Sequence, residues 1–196
     1  NFRCTFCIIP SVRGRSLSLE KEKILGQIKE FISQGFKEII LTGIHLCSYG
    51  ADLKPRKSLL ELLQEIENLE GLPRIRLSSL DPRFLERRLI DHLTLSEKIC
   101  PHFHLSLQSG SDRILRSMGR EIKAEDYMNI LVHLRKNSPQ ASLGADIIIG
   151  FPGESEDDFR QTCRFLELSP LTYFHVFTYS PRPGTEAASW KQVQGR

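Results

Sequence analysis

Two cysteines near the amino end have the spacing of a metal-binding or redox motif. Cys4 and Cys7 are separated by two residues, as in zinc half-sites, thioredoxin-like redox pairs and iron–sulfur loops. A zinc site needs a second Cys or Cys/His pair, which the sequence does not offer. A redox pair is expected at a helix start after a strand, whereas two isoleucines and a proline follow Cys7. Iron–sulfur ligation by thiolates is the third interpretation.

Polar residues also lie in or directly after apolar segments of strand length. Asp146 is inside the apolar segment 142–150, where an unpaired carboxylate is costly, so we expect it to have a polar partner. Gln108 and Ser109 follow the apolar segment 102–107. These are positions at which a polar ligand could bind.

The segments that carry these residues alternate between helical and strand patterns. Strands are predicted at 37–43, 74–80, 102–107, 142–150 and 171–179. Helices are predicted at 18–34, 58–69, 81–93, 111–117, 124–136 and 155–168. This order predicts an α/β fold, with a parallel sheet and helices outside it. Ligands bind at the carboxyl ends of the strands in such folds, so we expect the loops after the strands to meet at one rim.

Composition narrows the functional class only a little. The 196 residues are 40% hydrophobic and 26% charged, which is typical of a globular domain. Five cysteines, an odd count, argue against a disulfide framework. No apolar run approaches the roughly 18 residues of a membrane span, and no secretory leader is visible, so we expect a cytoplasmic protein without a membrane partner.

The net charge of +3 is too small to indicate a nucleic-acid partner by itself. Local clusters of basic residues could contact phosphate, or they could be solvated surface residues. The clusters are Arg13 and Arg15; Lys54, Arg56 and Lys57; and Arg113, Arg116 and Arg120.

The stretch around the two cysteines, NFRCTFCIIPSVRGR, resembles the cluster loop of the radical S-adenosylmethionine (SAM) methylthiotransferases. The pattern of that family is Cys-x3-Cys-x2-Cys with an aromatic residue before the third Cys, here Phe6, and its first Cys would lie immediately before Asn1. The likeness continues in order to about Ala188. It includes the blocks KEIILTGIHLCSYGADL, HFHLSLQSGSDRILRSMGR, GADIIIGFPGESEDDFRQT and FHVFTYSPRPGTEAA.

This resemblance implies a partial (β/α)6 TIM-like barrel with a [4Fe–4S] cluster and SAM as cofactors. Cys4 and Cys7 would ligate the cluster, and SAM would chelate the one iron left open through its amino and carboxylate groups. Reductive cleavage of SAM would then give a 5′-deoxyadenosyl radical. The implied SAM-binding residues are Phe6, Thr42, Gly43, Gln108, Ser109, Asp146 and Phe177. Cys47, on the predicted rim, could in principle replace the missing thiolate.

Structural alternatives remain for several of these positions. Ser111 would cap the helix that follows Gln108 and Ser109, as Ser155 would cap the helix after Asp146. Phe177 could be an ordinary core aromatic. A lone glycine after a strand, such as Gly43, often marks only a turn.

Two segments resemble the group that acts on N6-threonylcarbamoyladenosine in tRNA. They are the loop Leu41-Thr42-Gly43-Ile44-His45-Leu46 and the strand RIRLSSLDP. The isopentenyladenosine group usually has Gly-Gln-Asn in place of Gly43-Ile44-His45. The resemblance implies insertion of sulfur and methyl at C2 of that nucleoside, next to the anticodon. The tRNA anticodon loop, and a flavodoxin or ferredoxin as reductant, are the implied partners of a protein expected to be a monomer.

Other functions stay open at this point. The chain could belong to a methylthiotransferase that acts on isopentenyladenosine in tRNA or on a ribosomal protein. It could also be a radical SAM enzyme that oxidises a porphyrin precursor, or a non-catalytic α/β module whose CxxC binds zinc or no metal.

We interpret residues 1–188 as a radical SAM core and residues 189–196 as the start of a C-terminal extension. By resemblance, an N-terminal methylthiotransferase domain with a second cluster and a C-terminal RNA-binding domain lie outside this sequence. We therefore expect the chain alone to bind SAM but not to turn over.

Overall fold

The computed structural model describes residues 4–72 and 74–193. The first three residues of the predicted core and the last three of the predicted extension lie outside the described residues. The chain divides into two compact units. Unit 1 comprises Asn1–Arg15, Leu105–His133 and Leu143–Arg196, and unit 2 comprises Ser16–His104 and Leu134–Ser142.

Helices and strands alternate along the described chain, as the sequence predicts. The helices are α1 (Ile9–Arg13), α2 (Lys21–Ser33), α3 (Leu59–Glu67), α4 (Arg87–Leu95), α5 (Asp112–Ser117), α6 (Ala124–Asn137) and α7 (Glu156–Leu168). The strands are β1 (Ile39–Leu41), β2 (Ile75–Leu77), β3 (His102–Gln108), β4 (Ser142–Ile149) and β5 (Tyr173–Thr178). Short 3₁₀ helices span Leu46–Ser48, Pro82–Phe84 and Glu186–Ser189.

The strands form a two-stranded sheet, β1-β2, and a three-stranded sheet in the order β3-β4-β5. Strands β1 and β2 are parallel, with Ile39 opposite Ile75. Strands β4 and β5 are also parallel, with Asp146 opposite His175 and Ile148 opposite Phe177. The predicted α/β class with parallel strands is confirmed.

Unit 2 buries the apolar stripes of its helices around the short β1-β2 sheet. Helix α3 begins with a complete capping box between Ser58 and Glu61, which satisfies backbone N–H groups that the first turn leaves unpaired. The buried core of unit 2 includes Ile28, Leu59, Leu62, Leu63, Ile66, Ile75, Leu77, Leu89, Ile90 and Leu93.

Strand alternation in unit 1 separates a buried face from a polar face. Leu105 and Leu107 of β3, and Ala145 and Ile147 of β4, are fully buried. Because successive side chains of a strand point to opposite sides, Gln108 and the even-numbered residues of β4 face away from that core. Of the residues predicted to bind a ligand, Gln108 and Asp146 therefore lie on the face opposite this core.

One predicted helix is interrupted and one helix was not predicted. The segment 81–93, predicted as one helix, is a 3₁₀ turn at Pro82–Phe84 followed by α4 from Arg87. Leu85, between them, has non-helical angles and is buried, so packing of this side chain overrides the helical pattern. The five-residue helix α1 follows Cys7 and carries a proline in its first turn, where proline is tolerated.

None of the described helices is both long enough and apolar enough to span a bilayer.

Candidate functional site

The cysteine turn of unit 1 is fixed by hydrogen bonds on both sides of Thr5. The backbone N–H of Thr5 donates to the Met118 carbonyl over 3.1 Å, and its carbonyl accepts from Ala187 N–H over 2.9 Å. Cys7 N–H donates to the Cys4 carbonyl over 3.0 Å. Both cysteines are free and half-buried, so one tight turn presents two available thiols.

An aromatic cluster holds Phe6, the residue between these thiols. The ring of Phe6 packs edge-on against Phe151, with 6.2 Å between centroids. Phe151 is fully buried and also contacts Tyr179 at 5.3 Å and Trp190 at 5.9 Å. Rings in this edge-to-face arrangement attract one another beyond their burial, which positions Phe6 relative to the rest of unit 1.

A cavity of about 280 Å³ opens beside Phe6. Its lining residues are Phe6, Gln108, Asp146, Ile148, Phe177, Thr178, Tyr179, Ser180 and Arg182. Four of the predicted cofactor-binding residues thus meet in one place, although they come from the cysteine turn and three different strands. The parallel register of β4 and β5 explains part of this, because it sets Asp146 and Ile148 opposite alternate residues of β5.

Asp146 has a protein partner at the cavity wall. Nδ1 of His175 lies 3.3 Å from Oδ1 of Asp146, across the β4–β5 register. Sequence reasoning anticipated a polar partner for Asp146 but did not identify His175. A usable signal was its position two residues before Phe177, which puts both side chains on the same face of one strand.

Phe177 and Arg182 are open to the cavity and to solvent. Phe177 is 52% exposed, which excludes the alternative that it is an ordinary core aromatic. Arg182 is also exposed and lines the same cavity. The cavity therefore combines aromatic surface, an amide, a carboxylate and a guanidinium.

Ser109 and Ser111 turn inward instead of lining the cavity. Ser109 is fully buried, and its hydroxyl lies 3.2 Å from that of Thr162. Ser111 occupies the position before α5, but within the described chain its side chain makes no cap hydrogen bond and donates to Asp158 over 2.7 Å instead. The predicted cap at Ser111 is wrong, whereas the cap of α7 by Ser155 is confirmed as a full capping box.

Comparison with known proteins identifies the family. Residues 1–166 match the model of the Radical SAM superfamily. The chain belongs to the radical SAM superfamily. Membership confirms the enzyme class that the cysteine loop predicts, and implies a [4Fe–4S] cluster and SAM as cofactors.

The relatives of this radical SAM chain include tRNA-modifying enzymes. It is 46% identical over 188 residues to the threonylcarbamoyladenosine tRNA methylthiotransferase MtaB of Aquifex aeolicus, covering 96% of this chain and 45% of the relative. It is 42% identical over 188 residues to the tRNA-2-methylthio-N(6)-dimethylallyladenosine synthase of Carboxydothermus hydrogenoformans, covering 96% and 43%. The chain thus spans less than half the length of these curated relatives.

Solved structures support the fold. The radical SAM methyltransferase TsrM from Kitasatospora setae superposes with a TM-score of 0.77 at 17% identity, covering 95% of this chain and 34% of that one. Methylornithine synthase PylB gives a TM-score of 0.65 at 19% identity, covering 97% and 53%. The radical SAM fold is therefore shared despite low sequence identity.

The predicted SAM contacts of unit 2 lie directly after β1. Thr42 and Gly43 are both exposed residues. The loops after β1 and β2 are linked through Asp81: His45 Nε2 lies 3.2 Å from its carboxylate, and Arg83 donates to it over 2.6 Å. The His45–Asp81 contact thus joins the loop that follows Gly43 to the turn after β2.

Cys47 is poorly suited to replace a cluster thiolate. Burial raises the pKa of its thiol to about 12, so the neutral form predominates near neutral pH, whereas metal ligation requires the thiolate. The paired thiols of the Cys4–Cys7 turn, half-buried and without a protein disulfide, fit iron–sulfur ligation better.

The cavity residues fit a nucleoside ligand in size and chemistry. Aromatic faces suit a base, and an amide and a carboxylate suit ribose hydroxyls. In the described chain, Phe6 and Phe177 supply the first property, and Gln108 and Asp146 supply the second. The arrangement can bind a nucleoside next to two potential cluster ligands.

Proposed function

We propose that this chain is the SAM-binding core of a tRNA methylthiotransferase that acts on N6-threonylcarbamoyladenosine. The observation that carries the proposal is the cavity lined by Phe6, Gln108, Asp146 and Phe177, next to the turn of the paired cysteines. The 46% identity with MtaB of Aquifex aeolicus supports the choice of substrate.

When bound, a [4Fe–4S] cluster supplies the electron that splits a C–S bond of SAM. Cys4 and Cys7 contribute two of its thiolate ligands. The Gln108 amide and the Asp146 carboxylate hydrogen-bond the ribose hydroxyls, and Phe6 and Phe177 contact the adenine. These four contacts fix the nucleoside, which confines the reactive carbon to one place.

Ser109 supports Gln108 from within unit 1. Within unit 2, the exposed residues Thr42 and Gly43 are the proposed contacts of the methionyl amino group. The anticodon loop of tRNA is the proposed substrate, a flavodoxin or ferredoxin the proposed reductant, and a cytoplasmic monomer the proposed state.

Mass spectrometry of tRNA nucleosides from a strain lacking the gene tests the proposal. We expect methylthio-threonylcarbamoyladenosine to disappear and threonylcarbamoyladenosine without the methylthio group to accumulate. The full-length gene should restore the methylthio nucleoside, whereas its Cys4→Ser and Cys7→Ser variants should not. Cys163→Ser, which changes a half-buried cysteine of α7, is the control and should remain active. An unchanged methylthio-threonylcarbamoyladenosine level contradicts the proposal.

The dimethylallyladenosine synthases provide a second candidate function, because several match this chain almost as well as MtaB does, at 42% identity in Carboxydothermus hydrogenoformans. Loss of the methylthio group from the dimethylallyl nucleoside alone would support this second function and exclude the first.

A further inference from the structure

Gln108 has a backbone conformation that few residues with a side chain adopt. Its φ is +82°, in the left-handed region where a Cβ is crowded. Such a conformation persists only where surrounding contacts hold it. Gln108 is the last residue of β3 and lines the cavity. The contacts that hold its backbone conformation therefore also determine where its side-chain amide points.

Thr162 of α7 binds the loop that follows Gln108. Its hydroxyl donates to the Asp158 carbonyl over 3.1 Å, as is common for a threonine inside a helix. Since that use consumes its single proton, the oxygen must act as acceptor toward the Gly110 N–H at 3.1 Å and the Ser109 hydroxyl at 3.2 Å. Thr162 is 2% exposed and Ser109 is 0% exposed, so water cannot readily replace these bonds.

The loop also packs closely against α7. A Cβ added to Gly110 would lie 2.7 Å from Cβ of Phe165 and 2.8 Å from Cα of Thr162. Both distances are shorter than any ordinary carbon contact. Gly110 therefore lets the backbone approach near enough for its N–H to reach the threonine hydroxyl.

Asp158 provides a second attachment between the same two segments. Its carboxylate accepts from the Ser111 hydroxyl over 2.7 Å, from Arg113 Nε over 3.1 Å and from Ser155 N–H over 2.9 Å. Arg113 also donates to the Gly153 carbonyl over 2.7 Å. The start of α5 is thereby tied to the first turn of α7, one helical turn away from Thr162.

We propose that Thr162 is a positioning residue for SAM: it holds residues 109–111 against α7, so that Gln108 keeps its left-handed backbone and presents its amide to the ribose. The inference rests on the proposed function, because it takes SAM as the ligand of the cavity. Thr162 does not line the cavity and acts only through Gln108.

Binding of SAM to the anaerobically reconstituted full-length holoenzyme tests this role. Thr162→Val removes the oxygen and keeps the volume, and we expect SAM to bind about tenfold more weakly, because few molecules then hold the competent loop. Thr162→Ser keeps the hydroxyl and should restore binding. Tyr127→Phe is the matched control, since it deletes another fully buried hydrogen bond of unit 1, to the Leu105 carbonyl at 2.9 Å, and should leave SAM affinity unchanged.

A double-variant cycle separates positioning from a general loss of stability. If Thr162 acts through Gln108, Thr162→Val should weaken binding little further in a Gln108→Ala background. An equal loss with and without Gln108 overturns the inference, as does a Thr162→Val variant that binds SAM like the wild type. Wild-type holoenzyme that binds no SAM is a different result, because it refutes the proposed function and the inference with it.

Discussion

Asp158 illustrates how one buried carboxylate can organise a site that it does not touch. Burial alone would raise the pKa of Asp158, but hydrogen bonds from Arg113, Ser155 and Ser111 outweigh it and hold that pKa below its ordinary value. The charged form is therefore stabilised in the folded state. The same bonds cap α7 and fix Ser111 at the start of α5.

The depressed pKa of Asp158 predicts a pH dependence of stability. A carboxyl with a lower pKa when folded stabilises the protein above its unfolded pKa, about 3.9, and loses that contribution as pH falls toward the folded value. At pH 7 we expect Asp158→Asn to lower the free energy of unfolding by about 1–3 kcal/mol. Urea unfolding should show this difference shrinking below about pH 4. A difference that stays constant to about pH 2.5 would contradict the assignment.

For single residues, the sequence predicted the kind of contact that a side chain needs better than it predicted which residue makes that contact. A carboxylate inside an apolar strand indicated that Asp146 needs a polar neighbour. It did not indicate His175, because that contact depends on the β4–β5 register, which neither strand encodes alone. The role of Thr162 was not predicted either, since a threonine in a helical pattern gives no sign that a distant loop bonds to it.

Among the helices and strands, the 109–111 loop packs against α7 directly after Gln108, which lines the cavity. Gly110 makes this contact possible, because no larger residue fits beside Phe165 and Thr162. The proposed role of Thr162 therefore depends on this packing as well as on strand β3.

Gly110→Ala should therefore be destabilising. The added methyl meets the backbone of α7, so the loop must move, and overpacking of this kind costs about 1–3 kcal/mol. Gly26→Ala is the matched control: Gly26 lies inside α2 with no atom within 4 Å of an added Cβ, and should gain about 0.5–1 kcal/mol from helix propensity. Thermal unfolding should shift in opposite directions for the two variants, and similar shifts would argue against the close packing.

The order of helices and strands was predictable because hydrophobic periodicity is a local property. The break between Phe84 and Arg87 was not, since burial of Leu85 depends on tertiary packing. Ser111 was expected to cap α5, yet its hydroxyl bonds to Asp158. Local sequence cannot reveal that a charged acceptor from another helix competes for it.

At the level of the whole molecule, some basic side chains are exposed and could contact RNA phosphates, whereas others bind groups of the protein itself. Arg120 is 4% exposed and donates to the Ser106 carbonyl, and Arg113, whose side chain is 51% exposed, already pairs with Asp158. Lys54 and Arg56 in unit 2 are exposed. Of the predicted clusters, the one after Leu53 is therefore better placed to contact phosphate than the one around α5.

Salt dependence of tRNA binding tests this distinction. Each phosphate contact contributes about one unit to the slope of log affinity against log salt. A Lys54→Ala, Arg56→Ala double variant should reduce the slope by about two. Lys29→Ala, on the exposed face of α2, removes a charge outside the clusters and should leave the slope unchanged. Identical slopes for all three proteins would exclude the cluster from the tRNA interface.

We propose that the cysteine turn and the adjacent cavity together bind and cleave SAM. The most direct test of this claim is the yield of 5′-deoxyadenosine from reconstituted full-length holoenzyme treated anaerobically with SAM and dithionite. We predict product from the wild type and from Cys163→Ser, and at least about tenfold less from Cys4→Ser and from Asp146→Asn. No product from the wild type, or an undiminished yield from Cys4→Ser, would contradict the claim.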